Sequence, residues 1–334
     1  MNTIDWSSVP LEWKEFTIPK KHKKGVRHIS APCDELKAAQ HRILAWFYSQ
    51  DCDMLKPTWF AVATRNRGLM SGVSRHGANP TLILEMDIQD FFDSMPVDHV
   101  RSCLVKAGVG ATLVNNIIRC CSYKGRFPQG GPASPYLMEI GMREIDMELS
   151  SFAKKMGMVY TRYVDDLTLS FVPGGRADEM LNKFRQEHPD AGAEDVRARF
   201  AFVFRFVKKL LAEIGLSLNT KKNRAVLRKS KCQSPRINGV VLRQDEGGFN
   251  APRRSRDRAR AALHSLAQRI RNGEPVKALR SQWARVKGFV TWFDMVRGHS
   301  PDPACATADP RLNEDDWNVC KEASTQAPLQ RKLH

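Results

Sequence analysis

The chain has 334 residues, of which 53 are Lys or Arg and 36 are Asp or Glu, so its formal net charge is +17 and its pI is near 9.7. This balance is too basic for an ordinary metabolic enzyme, and at about 150 residues per domain the length accommodates about two compact domains. A positive surplus of this size favours nucleic acid as the partner, because bound Lys and Arg release counterions from the phosphodiester backbone. A surface that is basic only for solubility is the alternative, since Lys and Arg normally face water.

Neither a membrane span nor a metal-binding cysteine pattern is visible. The sequence has no run of roughly 18 apolar residues, and its start, MNTIDWSSVP, lacks the basic-then-apolar order of a signal peptide. We therefore expect a cytoplasmic protein. The eight cysteines form no CxxC pair and no Cys/His spacing suited to zinc, so reduced, mostly buried thiols are expected. These cysteines are Cys33, Cys52, Cys103, Cys120, Cys121, Cys232, Cys305 and Cys320.

The first part of the chain predicts mixed strands and helices. A short basic run over residues 16–31 is β-like, and residues 35–47 carry apolar side chains at helical spacing. The apolar run 81–86 is typical of a buried strand that delivers Asp87 at its end. Residues 97–122 favour helix.

The middle of the chain places two carboxylates at a predicted hairpin tip. A loop rich in glycine and proline covers residues 127–135, and a long helix is expected over 136–156. Residues 158–171 form two β-like runs interrupted by Asp165 and Asp166, which is typical of a hairpin.

The following segments are shorter. Residues 173–193 indicate loop and short helix, residues 200–214 an amphipathic helix, and residues 236–242 a short strand pair or a turn. No repeat of roughly 20 to 50 residues is visible, so solenoids and propellers are not expected. Beyond Ser300 the composition turns to Pro, Asp and Ala, which predicts a loosely held tail.

Residues 253–297 are the strongest candidate for a nucleic-acid contact surface. This segment has twelve Lys or Arg and only three acids. Apolar residues recur at helical spacing on both sides of Asn272-Gly273, so two packed helices with basic outer faces are expected. The aromatic residues of the segment belong either to the core or to base-stacking platforms, and their spacing favours the core. They are Trp283, Phe289, Trp292 and Phe293.

Asp87, Asp165 and Asp166 form a constellation with a chemical purpose. Magnesium prefers carboxylate oxygen and typically takes one or two protein carboxylates together with substrate phosphates. Two such ions about 4 Å apart stabilise both the attacking and the leaving oxygen of a phosphoryl displacement. An isolated Asp-Asp pair is equally typical of a turn, because turns favour Asp for local hydrogen bonding. The neighbouring segments therefore decide between the two interpretations.

Three of these segments resemble sequence boxes of reverse transcriptases, in the order of that family. Residues 163–166 (YVDD) resemble the YxDD box, and residues 87–92 (DIQDFF) resemble the box of the first catalytic aspartate. Residues 128–135 (PQGGPASP) resemble the PQG…SP box that lies against the incoming nucleotide.

Further segments extend the resemblance towards the retron reverse transcriptases of bacteria. Residues 27–32 (RHISAP) are similar to the fingers segment whose arginine meets the triphosphate, and residues 215–222 (GLSLNTKK) to the segment that ends in a lysine near pyrophosphate. The retron likeness rests on residues 160–163 (YTRY), 167–170 (LTLS) and 286–289 (VKGF).

The resemblance covers residues 16–297 and has two departures. Retron enzymes usually carry an NAxxH box before the first catalytic strand, where residues 72–76 (GVSRH) keep only the histidine. They usually carry VTG after the lysine segment, where residues 237–239 are ING. The retron subtype is therefore left open.

The resemblance implies catalytic roles for four residues and a metal-binding role for the backbone of a fifth. Asp87, Asp165 and Asp166 are expected to hold two Mg²⁺ ions, with the backbone at Ile88 adding an oxygen. Lys222 is expected to donate a proton to pyrophosphate, with the preceding lysine as the alternative.

Five residues are expected to contact the dNTP, and Ile88, already named for its backbone oxygen, is one of them. Arg27 has the fixed charged fork that suits phosphate oxygens, and Phe92 matches the position whose bulk excludes a ribose 2′-hydroxyl. Gln129 is expected to position base or sugar, and Gly130 to let the backbone approach the nucleotide, because glycine lacks Cβ. The alternatives are a surface arginine, a core phenylalanine and a plain turn.

The resemblance also implies a partner RNA. Retron enzymes copy part of their own structured RNA into RNA-linked single-stranded DNA (msDNA), starting from a guanosine 2′-hydroxyl, and act in anti-phage defence with a companion effector protein. Structured RNA is recognised by shape and backbone, which suits a basic helical face. The candidate RNA contacts are Asn238, Arg253, Arg254, Arg256, Arg258 and Arg260.

The fold implied by the resemblance is α+β, a right-hand polymerase. The expected fingers cover residues 1–80 with a contribution from 96–135, and the palm, an antiparallel sheet flanked by helices, covers 81–250. A basic helical thumb covers 251–299, and the tail 300–334. These boundaries come from the family and not from composition.

Three hypotheses follow. The first is a retron reverse transcriptase. The second is another bacterial reverse transcriptase, of abortive-infection or group II intron origin, with a different template. The third is a non-catalytic RNA-binding protein with a decayed polymerase fold, which the presence of all three aspartates disfavours.

Overall fold

The computed structural model describes residues 6–19, 25–58, 61, 67–77, 79–227, 235–242, 248–297 and 314–326. Within these ranges the helices are α1 (Asp34–Ser49), α2 (Leu69–Val73), α3 (Phe91–Ser94), α4 (Val97–Lys106), α5 (Ala111–Cys121), α6 (Ser134–Lys155), α7 (Arg176–Glu187), α8 (Ala193–Arg199), α9 (Ala201–Glu213), α10 (Arg253–Arg271), α11 (Arg280–Arg297) and α12 (Glu314–Gln326). The strands are β1 (Trp13–Pro19), β2 (Val26–Pro32), β3 (Leu82–Asp87), β4 (Met158–Tyr163), β5 (Asp166–Phe171), β6 (Arg224–Leu227), β7 (Arg236–Ile237), β8 (Val240–Leu242) and β9 (Phe249–Asn250). Helices combined with antiparallel sheets confirm the α+β class.

The chain forms two compact units. The first unit comprises residues 1–75 and 81–227, and the second comprises 76–80 and 228–334. No helix in the described ranges is both long enough and apolar enough to cross a bilayer.

A four-stranded antiparallel sheet lies at the centre of the first unit, in the order β4-β5-β3-β6. Strand β3 is nearly continuous in apolar residues because it is an inner strand, and only Glu85 is not fully buried. Helix α6 packs against β4, and its Leu137 and Leu149 are completely buried in the same core. The end of the sheet at which Asp87 lies is therefore supported by a closely packed layer.

The predicted helical stretch 97–122 is two helices. Gly108 has φ +79°, a left-handed conformation that ends α4, and α5 begins after Gly110. In α5 the buried residues Val114, Ile117 and Cys121 follow helical spacing. The prediction was therefore right in type and wrong in continuity.

Residues 173–193, expected as loop and short helix, contain the twelve-residue helix α7. Two acids, Asp178 and Glu179, lie in its first turn, where their negative charges interact favourably with the positive end of the helix dipole. Ala177 and Leu181 face the core of the first unit.

The second unit holds the sheet β7-β8-β9 and the helices α10 to α12. Helices α10 and α11 are separated at the predicted Asn272-Gly273 break, where Gly273 has φ +81°. Phe293 is buried and Trp283 packs against the α10 core, so the core interpretation of these aromatics is confirmed.

The prediction of a loosely held tail is wrong for residues 314–326, because these residues form α12. Cys320 is buried among Leu263, Leu266 and Val286. Asp316 is 2% exposed and accepts hydrogen bonds from His264 (2.9 Å) and Arg271 (2.7 Å) of α10. The segments 300–313 and 327–334 lie outside the described residues.

The six cysteines in the described ranges are free thiols, as expected. Cys120, Cys121 and Cys320 are buried, and burial raises the pKa of each thiol, so they are unreactive. Cys232 and Cys305 lie outside the described residues.

Candidate active site

The structure brings the three predicted aspartates to one end of the central sheet. Asp87 is the last residue of β3 and pairs in register with Asp166, the first residue of β5. Asp165 lies in the turn between β4 and β5, and its carbonyl accepts a 2.9 Å hydrogen bond from the Ile88 amide. Antiparallel pairing therefore places Asp87 and Asp166, 79 positions apart in the sequence, side by side.

The turn that carries Asp165 is strained. Tyr163 pairs with Asp166, so Val164 and Asp165 form a two-residue connection. Val164 has φ +59°, a backbone conformation that β-branched residues rarely adopt and that glycine adopts readily. Strain of this kind persists only where surrounding contacts hold it, and it clusters at functional sites.

The electrostatics of the site favour a bound cation. Burial and the negative charges of Asp165 and Asp87 raise the pKa of Asp166 to about 6. Burial also raises the pKa of Asp165, and the charge of Asp87 adds to it. The negative charges of the three carboxylates therefore repel one another at this end of the sheet.

Two cations counter this repulsion. Lys222 forms an ion pair with Asp87, and its positive charge opposes the rise in the pKa values of both Asp165 and Asp166. Arg27 on β2 also opposes the rise in the pKa of Asp165. The contact by Lys222 is fixed by the backbone, since the Asn219 amide donates to the Asp87 carbonyl (2.8 Å) and the Lys222 amide to the Asn219 carbonyl (3.0 Å).

The structure places Lys222 rather than Lys221 at the carboxylates. Both lysines are exposed, and the ion pair of Asp87 in the structure is with Lys222. The choice between the two lysines as proton donor remains a proposal, now with a geometric reason.

The predicted nucleotide loop is attached to the strand that carries Arg27. The Ser30 amide donates to the Gln129 carbonyl at 2.9 Å. Gly130 has φ +123°, and a Cβ there would lie 2.7 Å from the Ser30 carbonyl oxygen and 2.9 Å from the Ile29 side chain. The observed close approach at Gly130 is therefore to β2, and its approach to a nucleotide stays a prediction.

Ile88 directly follows Asp87 in the chain, and Phe92 lies in α3. The Phe92 side chain is half-buried, packs against the core of the first unit and has its ring edge-on to Phe91 at 5.8 Å. This packing supports the core alternative, and the exclusion of a 2′-hydroxyl by Phe92 stays a prediction. Ile88 is buried, and the structure shows its amide bound to Asp165.

The residues present fit a divalent cation only in part. In the described residues no three carboxylate, histidine or cysteine side chains are arranged to hold a metal ion by themselves. Magnesium needs only one or two protein carboxylates when phosphates supply other oxygens, and three crowded carboxylates with a raised pKa at Asp166 are suitable donors. The three carboxylates therefore suit an ion whose remaining oxygen ligands come from the phosphates of a nucleotide.

The predicted RNA contacts lie in the second unit. Asn238 has φ +48° and forms with Gly239 the two-residue turn between β7 and β8, which explains an Asn-Gly pair there without any ligand. Five predicted arginines lie on the first two turns of α10. Arg253, Arg254 and Arg258 are exposed, and Arg256 and Arg260 are half-buried. Arg253 and Arg260 pair with Asp257.

Sequence reasoning missed a buried ionic cluster beneath the hairpin tip. Arg162 on β4, fully buried, contacts Glu139 and Asp146 of α6. The available signal was a charged residue within a strand of otherwise buried residues, because an isolated buried charge requires partners.

The family model "Reverse transcriptase (RNA-dependent DNA polymerase)" matches residues 18–240. Retron Ec86 reverse transcriptase of Escherichia coli is 28% identical over 259 residues, covering 77% of this chain and 70% of that protein. Retron Mx65 reverse transcriptase of Myxococcus xanthus is 29% identical over 319 residues, covering 89% of this chain and 64% of that protein. Retron Mx162 reverse transcriptase of the same organism is 27% identical over 323 residues, covering 89% of this chain and 60% of that protein. This chain therefore spans less than two thirds of the length of either Myxococcus protein.

Solved structures give a weaker likeness. Telomerase from Candida albicans, in complex with a TWJ fragment of telomeric RNA, has a TM-score of 0.49 and 12% identity, covering 94% of this chain and 62% of that chain.

The antiparallel sheet, the aspartates at its end and the family match over residues 18–240 agree with the right-hand polymerase fold expected from the sequence. The curated relatives narrow the match to the retron type. The chain belongs to the reverse transcriptase (RNA-dependent DNA polymerase) family, as a retron-type member.

Proposed function

We propose that this protein is an RNA-directed DNA polymerase that copies part of a cognate structured RNA into RNA-linked single-stranded DNA. The observation that carries the proposal is the register pair Asp87 and Asp166 with Asp165 in the adjacent turn, next to Lys222 and Arg27. Carboxylates for metal and cations for phosphate thus meet at one sheet end.

The proposed reaction is attack of a primer hydroxyl on the α-phosphate of a dNTP. A new O–P bond forms, the bond to pyrophosphate breaks, and the hydroxyl proton is released. Two Mg²⁺ ions, when bound, would stabilise the charge on the attacking and leaving oxygens. Asp87, Asp165 and Asp166 would hold these two ions, and the Ile88 carbonyl would supply a further oxygen.

Other residues of the first unit bind and position the nucleotide in this proposal. Arg27 binds the triphosphate through its charged fork, and Phe92 excludes the 2′-hydroxyl of an rNTP. Gln129 and Gly130 border the nucleotide from the loop that is bonded to β2. Lys222, paired with Asp87, is placed to give a proton to the leaving pyrophosphate.

The second unit supplies the RNA contact in this proposal. The exposed arginines of α10 suit binding to the backbone of a structured RNA, which carries little base-specific information. The basic charge of +17 supports the same partner. A bacterial cytoplasmic location, msDNA as product and an anti-phage role with a companion effector complete the proposal by analogy with retron enzymes.

The test is isolation of nucleic acid from cells that express the protein with its flanking DNA. The proposal predicts a short single-stranded DNA that stays linked to RNA after protease treatment and is absent in the Asp165→Asn, Asp166→Asn variant. Primer extension on an added RNA template without any such DNA would instead indicate a reverse transcriptase of another lineage. Inactivity in both assays would leave the RNA-binding hypothesis.

A further inference from the structure

Arg162 uses its complete hydrogen-bonding capacity beneath the hairpin tip. An arginine has five N–H donors. Nε and Nη2 donate to the two oxygens of Asp146, at 2.9 and 2.7 Å. Nη1 and Nη2 donate to the two oxygens of Glu139. The fifth bond, 2.9 Å long, runs from Nη1 to the carbonyl of Val164.

The acidic partners are themselves held in place. Asp146 accepts a hydrogen bond from Tyr160 (2.8 Å) and one from Thr58 (3.0 Å) in addition to those from Arg162. Arg162 and Asp146 have 0% side-chain exposure, and Glu139 has 5%. A guanidinium that donates hydrogen bonds to two fixed carboxylates has little freedom to move. The hydrogen bond that it donates to a third group therefore has a defined direction.

The third group is the strained residue of the turn. The Val164 carbonyl belongs to the peptide that joins Val164 to Asp165, and Val164 is the residue with φ +59°. A β-branched residue leaves this conformation unless a contact holds it. The orientation of that peptide sets where the Asp165 and Asp166 side chains point.

We propose that Arg162 is a positioning residue, which fixes the Val164–Asp165 peptide so that the carboxylates of Asp165 and Asp166 face Asp87. This inference rests on the function proposed above. Arg162 acts through the backbone and does not itself contact nucleotide or metal. Glu139 and Asp146 serve as the clamp that holds the guanidinium.

A purely structural role is the competing explanation, because removing one partner of a buried ionic cluster destabilises a protein strongly. The two roles differ in which substitution matters. Glu139→Gln weakens the clamp but leaves the Val164 bond in place. Arg162→Lys keeps the charge but loses the planar fork, so it cannot satisfy both acids and Val164 together.

The experiment measures the Mn²⁺ affinity of the full chain by electron paramagnetic resonance, in the presence of a dNTP but without RNA, together with the melting temperature. Arg162→Lys is expected to weaken Mn²⁺ binding about tenfold, the effect of losing one well-placed charge-assisted hydrogen bond. Glu139→Gln is expected to lower the melting temperature while Mn²⁺ affinity stays within about twofold of wild type. Arg143→Lys is the matched control, because Arg143 donates to the Lys56 carbonyl at 2.7 Å in a comparable way.

A charge-balanced variant covers the case in which Arg162→Lys does not fold. Arg162→Met with Glu139→Gln and Asp146→Asn removes the buried charges together, and such replacements are often tolerated. It is expected to fold and to show the same loss of Mn²⁺ affinity. Wild-type affinity in either folded Arg162 variant would overturn the proposal, as would equal losses in Glu139→Gln and Arg162→Lys.

Failure of the proposed function gives a different result. If wild type binds Mn²⁺ in an Asp165- and Asp166-dependent manner but never extends a primer, polymerase function is wrong and the role of Arg162 stands. If Asp165→Asn, Asp166→Asn binds Mn²⁺ as well as wild type does, the carboxylates hold no metal and both proposals fall.

Discussion

Charge is used in opposite ways at the β4–β5 hairpin tip and along α10. At the tip, Arg162 is fully buried and meets two carboxylates and a backbone carbonyl in a single geometry. On α10, Arg254 and Arg258 are exposed on a helix surface that water covers. Buried charges need partners in one defined geometry, whereas exposed charges create a field that tolerates movement. Substitutions at the tip should therefore act steeply, and those on α10 gradually.

The largest effect is expected at the aspartates. Asp165→Asn or Asp166→Asn should lower primer extension at least about 1,000-fold, because charge stabilisation in the transition state is lost while side-chain shape is kept. Steady-state extension on an RNA template measures this, with thermal melting as a check of folding. Asp190→Asn, at an exposed aspartate of the same unit, should be neutral. Activity within about tenfold of wild type in the site variants would remove these residues from the chemistry.

The next effect concerns the sugar. Phe92→Ala should raise the ratio of rNTP to dNTP incorporation by about ten- to a hundredfold, because the removed ring no longer blocks a 2′-hydroxyl. Competitive single-nucleotide incorporation gives the ratio directly. Phe152→Ala, at another half-buried phenylalanine packed on the core, should leave the ratio unchanged. An unchanged ratio in Phe92→Ala would reduce Phe92 to a packing residue.

A gradual effect is expected on α10. Arg254→Gln with Arg258→Gln should weaken binding to structured RNA and reduce the slope of log K against log salt by about 2, roughly 1 per lost phosphate contact. Filter binding across a salt series measures the slope. Lys183→Gln with Arg185→Gln removes two exposed charges from α7 and serves as the control. If both pairs change the slope equally, the effect is one of net charge and α10 is not the contact.

The smallest effect is a pH dependence at α12. Burial opposes the charged form of Asp316, but the hydrogen bonds from His264 and Arg271 outweigh it and lower its pKa below the ordinary 3.8. A lowered folded pKa contributes stability above about pH 4, and this contribution is lost as the pH falls through the folded value. Asp316→Asn should therefore lower the melting temperature by about 2 °C at pH 6, since His264 and Arg271 are partly exposed.

The same comparison in acid provides the check. The difference in melting temperature between wild type and Asp316→Asn should shrink between pH 5 and pH 3, as scanning calorimetry can measure. A difference that is constant with pH would mean that the ion pairs of Asp316 do not hold α12.

Local patterns explain how much of this protein could be predicted from its sequence. Helix and strand types follow from residues close together in the chain, so β3, α6 and the β4–β5 hairpin were expected within a few residues. The errors have local causes as well. Gly108 interrupts one helical pattern, and the helical face of α12 is short within a polar, proline-containing tail.

By itself the sequence determined the order of the boxes and the three aspartates, because those depend on residue type and spacing along the chain. The class of fold followed from the resemblance of those boxes to a known family. Only the tertiary structure decided that Lys222 rather than Lys221 meets Asp87, that Gly130 packs against β2, and that Arg162 holds the Val164 carbonyl. Asp87 and Lys222 are 135 positions apart. Contacts across such separations form only when strands pair and helices pack, and no local pattern specifies which groups then meet.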